Sequence, residues 1–312
     1  VSDPVFPRLA LIGIGLIGAS IALAACRSGA AGHVAIHSRT AKTLERAEEL
    51  GLGDSYHADP ADAVKDADCV ILCIPVGASG TATEAIARHL KPGSTISDVG
   101  SVKASVIAQM ALHLPADVHL VPAHPVAGTE YSGPDAGFAA LFDNRWCILT
   151  PPPEADPAAV ARLVDFWSRL GANVETMTAE HHDLVLAITS HVPHLIAYNI
   201  VGTAADLETV TQSEVMKFSA GGFRDFTRIA ASDPTMWRDI FLNNREAVLE
   251  MLGRFSEDLT ALQRLIRYGE GDKLYDLFAR TREIRRGIIA AGQAIEAADL
   301  DRPHGKDDDE AG

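Results

Sequence analysis

The stretch LALIGIGLIGASIALAACRSG places Gly13, Gly15 and Gly18 between an apolar run and a helical pattern. A G-x-G-x-x-G that follows a strand and opens a helix is the turn on which a dinucleotide pyrophosphate rests. On that reading Gly13 allows a tight turn, Gly15 lets the backbone approach the pyrophosphate, and Gly18 lets helix and strand come close. Ile14, Leu16 and Ile17 lie within the loop, and Ile74 and Pro75 end the run DCVILCIP. All five join the glycines as expected cofactor-binding positions.

The chain divides into two kinds of text. Up to about residue 177, LALIGIG, HVAIHS, DCVILCIP, STISDV, DVHLVPAH, WCILTP and NVETM have the composition of strands, several continuously apolar as in sheets buried on both faces. Helical patterns such as TAKTLERAEEL and PAAVARLVDFWSRL alternate with them. This order predicts an α/β Rossmann-type doubly wound sheet, mostly parallel. From Thr178 the strand signal stops. Thr178 is a candidate N-cap, Asp233 is another, and Pro234 suits a first helical position. An apolar stripe runs at helical spacing from Trp237 through Ile240, Val248, Met251 and Leu259 to Ile266. A small helical domain cannot cover a stripe of that length alone, so 178–300 is expected to be an all-helical domain that also forms a homodimer. Residues 301–312, DRPHGKDDDEAG without its first charge partners in any periodic pattern, are expected to be a disordered tail.

The formal net charge of −15 argues against nucleic acid or an anionic membrane as partner. No membrane span is expected, because no long apolar run lacks polar or small breakers. The start VSDPVFPRLA lacks the pattern of a secretory signal. Cys26, Cys69, Cys73 and Cys147 form no C-x-x-C and suit reduced thiols in a cytoplasmic protein. A small anion could bind where arginines reverse the field locally.

After the second strand, where NAD enzymes carry an acidic residue for the ribose hydroxyls, the chain has Ser38, Arg39 and Thr40. Hydroxyls and a guanidinium suit a 2′-phosphate, so NADP is the expected cofactor and NAD the alternative.

Four further stretches carry chemistry: DVGSVK, AHPVAGTEYSG, SHVPH and GGFRDFTRIAASDPTMW. The first two follow strands, which places Ser101 and His124 at the carboxyl edge of the sheet, where ligands bind. Gly128 would permit a turn returning Thr129 and Glu130 toward the cleft. In SHVPH, Pro193 interrupts a helical pattern and should kink it. His191 and His194 share a helix face. No metal site is expected from them, since a third ligand at useful spacing is missing. His191 is the better candidate for the cleft, and His194 for core packing. Arg224 and Arg228 lie four apart, and one of them could bind a substrate carboxylate while the other pairs with a nearby aspartate.

Together these motifs resemble the prephenate/arogenate dehydrogenases of tyrosine biosynthesis, of the cyclohexadienyl dehydrogenase type, over about residues 8 to 290. The resemblance implies a Rossmann domain followed by a dimerising helical domain. It implies oxidative decarboxylation of prephenate or arogenate with hydride transfer to NAD(P), giving 4-hydroxyphenylpyruvate or tyrosine. By the same resemblance His124 bonds the substrate 4-hydroxyl, Ser101 lies near that hydroxyl and the nicotinamide, and Arg228 takes a carboxylate. His191, Gly221, Trp237, Thr129 and Glu130 frame the pocket. The alternatives are a β-hydroxyacid-type dehydrogenase, which would carry a catalytic lysine in its helical domain, and a non-catalytic NADPH-binding sensor.

Overall fold

The continuously apolar runs become the central strands of one parallel sheet. In the computed structural model, which describes residues 3–129, 131–206 and 221–288, two compact units are formed, 1–252 and 253–312. Glu130 and the tail 301–312 lie outside the described residues.

The first unit opens with β1 (Leu9–Ile12), α1 (Leu16–Ser28), β2 (Val34–His37), α2 (Ala41–Glu49), β3 (Ser55–His57), α3 (Pro60–Val64) and β4 (Cys69–Leu72). It continues through α4 (Ser79–Ile86), β5 (Thr95–Asp98), α5 (Ala104–Ala111) and β6 (His119–Leu120). The six strands pair in the order β3-β2-β1-β4-β5-β6, all parallel. Strand order reverses between β1 and β4, which opens a ligand crevice at their carboxyl ends. The glycine loop follows β1 and Ile74–Pro75 follows β4, so both flank that crevice.

Strand periodicity sorts the core. Leu9 and Leu11 of β1 join Cys69 and Ile71 of β4 in one cluster beneath α1, while Ala10, Ile12, Val70 and Leu72 face the other. The second cluster also takes in Trp237 and Ile240, so the later helices of this unit close over the same sheet face.

Two strand expectations change. Ser55–His57 forms an edge strand that no apolar run announces, since its residues are polar or amphipathic and only half-buried. DVHLVPAH, read as one strand, is two. Pro122 has no N–H to continue the ladder. Its carbonyl instead accepts from the Thr150 amide at 3.0 Å, and β7 (Ala123–Pro125) pairs antiparallel with β8 (Trp146–Leu149). After α6 (Pro157–Arg169), β9 (Asn173–Thr176) completes this second, three-stranded sheet by pairing parallel with β8.

The remainder is helical. α7 (Ala179–Leu186) starts at Thr178, whose side chain accepts from the His181 amide as the N-cap reading requires. Pro193 does not break the helix. Its missing N–H and bulky ring are accommodated by a π-helical turn over Ala187–His191, which leads directly into α8 (Val192–Asp206). By length and composition 179–206 is the one helical run among the described residues long enough to cross a bilayer. Its inner face is used otherwise, carrying buried His182, Asp183 and His191. α9 (Gly221–Thr227) follows, then a 3₁₀ turn over Arg228–Ala231 and α10 (Pro234–Asn243), capped by Asp233 through the Met236 amide at 2.8 Å.

The expected stripe from Trp237 to Ile266 is divided at Asn244, which leaves helical geometry between α10 and α11 (Arg245–Arg267). Trp237, Ile240, Val248 and Met251 are buried within the first unit. The second unit comprises the end of α11, a left-handed Gly269 and α12 (Gly271–Ile288). No described residue from 253 to 288 is buried.

Candidate active site

Each glycine of the loop has a separate reason to be glycine. Gly13 has φ +97, and a Cβ there would lie 2.4 Å from the Cys73 carbonyl oxygen. A Cβ on Gly18 would meet the Gly13 carbonyl oxygen at 2.5 Å, which records the close approach of α1 to β1. A Cβ on Gly15 would meet nothing within 4 Å. No packing among the described residues explains Gly15, so the open space fits a bound group lying against the backbone. The α1 N-terminus has no side-chain cap and no acidic residue in its first turn, leaving its amides to an anion. These features fit a dinucleotide pyrophosphate. Ile14 is buried, Leu16 and Ile17 are half-buried against the core, and Ile74 reaches toward Gly13.

At the end of β2, Ser38 is almost buried and Arg39 is exposed. Neither side chain bonds another described residue. Thr40 is differently employed. It caps α2, accepting from the Thr43 amide at 3.4 Å and donating its hydroxyl to Thr43 Oγ1 at 2.7 Å.

The loop after β5 is held by a buried ion pair. Lys103 Nζ donates to Asp98 Oδ2 at 2.5 Å and to the Ala123 carbonyl at 2.7 Å, so it ties this loop to the strand that carries His124. Burial draws the Lys103 ammonium below the usual lysine range, while Asp98 acts against that. Ser101 lies half-buried on this loop, its hydroxyl without a partner among the described residues.

His124 is 7% exposed, at the centre of β7. Its Nδ1 lies 2.8 Å from His182 Nε2, and His182 Nδ1 lies 2.8 Å from Asp183 Oδ1. Asp183 also accepts from the amides of Lys103 at 2.8 Å and Ala104 at 2.9 Å, at the start of α5. Burial pushes His124 well below the ordinary histidine value, and the charges of His182, Lys103 and His191 push the same way. His124 is thus neutral at neutral pH.

His191 is fully buried on the π turn. The Asn244 amide donates to the Asp183 carbonyl at 2.9 Å and faces His191 Nδ1 at 3.1 Å. An NH₂ group offers only donors, so His191 Nδ1 accepts and Nε2 carries the proton. That Nε2 makes no hydrogen bond of ordinary geometry among the described residues, although the Ser101 backbone acts on the ring as an acceptor would. Burial holds the His191 value down at about 4, with Asp183 opposing, so the ring is a neutral donor.

His194 is partly exposed, unlike His191. It stacks on Trp237 with ring centroids 3.7 Å apart, and the Arg228 charge contributes to lowering its value, after burial. Arg228 opens the 3₁₀ turn and is exposed, while Trp237 is buried with Nε1 unpartnered. Tyr198 fastens α8 to this segment by donating to the Ser232 carbonyl at 2.7 Å. Arg224 is 77% exposed and lies 3.8 Å from Asp225, the ion-pair alternative for one of the two arginines. Gly221 is exposed at the start of α9, and no hydrogen bond or contact joins it to His124. Thr129 is exposed, with Oγ1 accepting from the Tyr131 amide at 3.3 Å. Gly128 is not in the left-handed region and has open space around it, so the turn does not demand glycine there.

The structure therefore joins Ser101, His124 and His191 through a frame that sequence reading missed: Lys103, His182, Asp183 and Asn244. The one available signal was the pair His182–Asp183 in an otherwise apolar helical run, where polar residues occupy positions that bury.

Comparison with known proteins finds relatives over both parts of the chain. Residues 21–176 match the family model for the prephenate dehydrogenase nucleotide-binding domain, and residues 178–280 match the model for its dimerization domain. The chain is 44% identical to the cyclohexadienyl dehydrogenase of Zymomonas mobilis over 284 residues, 91% of this chain and 97% of that one. A crystal structure of prephenate dehydrogenase from A. aeolicus with hydroxyphenyl propionate and NAD+ superposes with TM-score 0.84 at 31% identity, covering 92% of this chain and 99% of that one. Synechocystis arogenate dehydrogenase superposes with TM-score 0.76 at 27% identity, covering 90% and 99%.

Proposed function

The chain belongs to the prephenate dehydrogenase family, and from that premise we infer how its residues divide the work of the reaction. It is an NAD(P)-dependent enzyme that oxidatively decarboxylates prephenate or arogenate. Gly13, Gly15 and Gly18 and the α1 N-terminus would hold the dinucleotide, which would supply hydride acceptance from C4. His124 accepts the 4-hydroxyl proton at Nε2, the ring carboxylate leaves as carbon dioxide while its bonding electrons make the ring aromatic, and His124 returns the proton to the resulting phenolate oxygen. The observation that carries this assignment is the bond from His124 Nδ1 to His182, which leaves Nε2 to face the substrate. Ser101 bonds the same hydroxyl, and His191 offers its buried N–H to a substrate oxygen. Arg228 binds a substrate carboxylate, with His194 and Trp237 beside it.

The β-hydroxyacid dehydrogenase alternative is disfavoured by the SHVPH and FRDFTR stretches and by the matches of 21–176 and 178–280 to the two prephenate dehydrogenase domains. Nucleotide binding is assigned up to residue 177, with substrate and dimer contacts after it, a division supported by where the two family models meet. All four cysteines are free, which suits a reducing, cytoplasmic setting.

NADP is assigned as the preferred cofactor. A carboxylate at the end of β2 would repel a 2′-phosphate, whereas Ser38 can donate to it and Arg39 can pair with its charge. Thr40 contributes less, because its hydroxyl proton already goes to Thr43. Initial rates should give a higher kcat/KM with NADP than with NAD, and Arg39→Ala should weaken NADP selectively. A higher kcat/KM with NAD, or equal weakening of both by Arg39→Ala, refutes the assignment.

The protein is also assigned as a homodimer through its helical domain. Leu259, Ile266, Tyr268, Tyr275 and Phe278 are each more than half exposed in the single chain, a concentration of large apolar side chains that suits a dimer contact. Light scattering at micromolar concentration should report twice the mass of one chain, and a monomer there excludes the assignment.

A further inference from the structure

We propose that His182, backed by Asp183, is a positioning residue that holds His124 in the tautomer whose Nε2 accepts a proton. The proposal rests on the reading of His124 as the base and explains how the protein enforces it.

Asp183 accepts a backbone N–H on each carboxyl oxygen, from Lys103 at Oδ1 and from Ala104 at Oδ2, and His182 Nδ1 lies 2.8 Å from Oδ1. A carboxylate held by amide donors on both oxygens acts toward that ring as an acceptor. His182 must therefore carry its proton on Nδ1. The ring is fully buried, and burial disfavours a second proton. His182 Nε2 is then a lone pair, and its partner is His124 Nδ1 at 2.8 Å. Two neutral imidazole nitrogens at that distance need one proton between them. Asp183 has placed the proton of His182 on the far nitrogen, so His124 must supply this one. A neutral His124 with its proton on Nδ1 has a bare Nε2.

The same chain of bonds serves the charged state. When His124 takes a proton it becomes a cation among other cationic or ionisable neighbours: Lys103 from the loop before α5, and His191 from the π turn. Asp98 on β5 neutralises Lys103 but does not contact His124. The Cys147 thiol, across the β7–β8 pair, is pushed well up by burial and carries no charge. Asp183 is the carboxylate that reaches His124 through hydrogen bonds, by way of His182. A proton relay of carboxylate, imidazole and second imidazole thus spans residues 58 apart in sequence. Asp183 also anchors the start of α5 and so the Ser101 loop, so one carboxylate aligns both groups that meet the substrate hydroxyl.

Kinetics of the full-length enzyme with prephenate, together with ¹⁵N spectra of labelled histidines, test this. His182→Leu removes the acceptor for His124 Nδ1–H. It should lower kcat by about 100-fold or more while KM stays within about threefold, as loss of tautomer control does in other enzymes. His182→Gln offers a carbonyl to His124 and an amide to Asp183, and should recover at least about tenfold of that loss. Wild-type His124 should show a protonated Nδ1 and a bare Nε2 at neutral pH, and a mixture of tautomers in His182→Leu. A wild-type His124 with a bare Nδ1 overturns the proposal by itself, whether or not either variant folds. Equal impairment of the two variants with Nδ1 protonated in both makes His182 a packing residue and also overturns it. Near-normal kcat in His182→Leu, with kcat collapsed in His124→Asn, overturns the relay and leaves the base assignment standing. Near-normal kcat in His124→Asn removes the base assignment itself.

Discussion

His124→Asn is expected to lower kcat by about 10²–10⁴-fold with little change in KM, the usual range for loss of a general base. The size of the effect follows from the geometry of the site. Asparagine overlays the part of histidine that ends at Nδ1, so its amide can still donate to His182 Nε2 and keep the frame together. What it lacks is any atom where Nε2 stood. Substrate contacts through Arg228 are untouched, so binding should persist while the proton has no acceptor. The pH profile gives a second reading. The active form of His124 is the deprotonated one, so activity falls as pH drops through its value. Burial and the neighbouring charges set that value well below 6.5 in the free enzyme. The acid limb of kcat/KM should therefore lie below pH 6.5 with a plateau through neutrality, and should vanish in His124→Asn. A variant with near-normal kcat, or one that keeps the wild-type limb, rules out His124 as the base.

Arg228→Ala is expected to raise KM by about 30-fold or more. That corresponds to roughly 2 kcal/mol, the lower end for truncating one partner of a desolvated charge pair. In a protein of net charge −15, a carboxylate needs a local cation to approach at all. Arg228 stands beside the His194–Trp237 stack, and its charge is felt by His194. Lysine at 228 should restore affinity only in part, because a point charge replaces the two-pronged guanidinium. Arg224→Ala is the internal comparison. That side chain is largely in solvent beside Asp225, so its loss should leave KM within about twofold. An unchanged KM in Arg228→Ala with a raised KM in Arg224→Ala would transfer the role to Arg224.

The glycine loop was fully legible in the sequence because its causes are local. Positive φ at Gly13, the contact between Gly18 and Gly13, and the open face of Gly15 all arise within one strand-turn-helix. The caps at Thr178 and Asp233 were legible for the same reason, since each bonds an amide three residues on. The central strands showed as apolar runs because both of their faces are buried. The edge strand Ser55–His57 did not, because half-burial leaves no apolar signature. The split at Pro122 depended on β8, a partner sequence alone does not locate. His191 was expected in the cleft and His194 in the core. The folded chain buries His191 fully and leaves His194 partly exposed against Trp237.

The sequence by itself determined the alternation of central strands with helices and the glycine turn, and it offered Ser101 and His124 as candidate groups, since these follow from local periodicity, backbone sterics and residue chemistry. The tertiary structure alone decided the state of those groups. Whether His124 accepts a proton depends on His182 and Asp183, and whether His191 donates one depends on Asn244. The bond from Asp183 to the Ser101 loop crosses 80 residues of chain, and the bond from His124 to His182 crosses 58. A tautomer is set by the partner of the opposite ring nitrogen. His182 takes its partner from the adjacent Asp183, but His124 and His191 take theirs from distant segments, brought into place only when the helices close over the sheet.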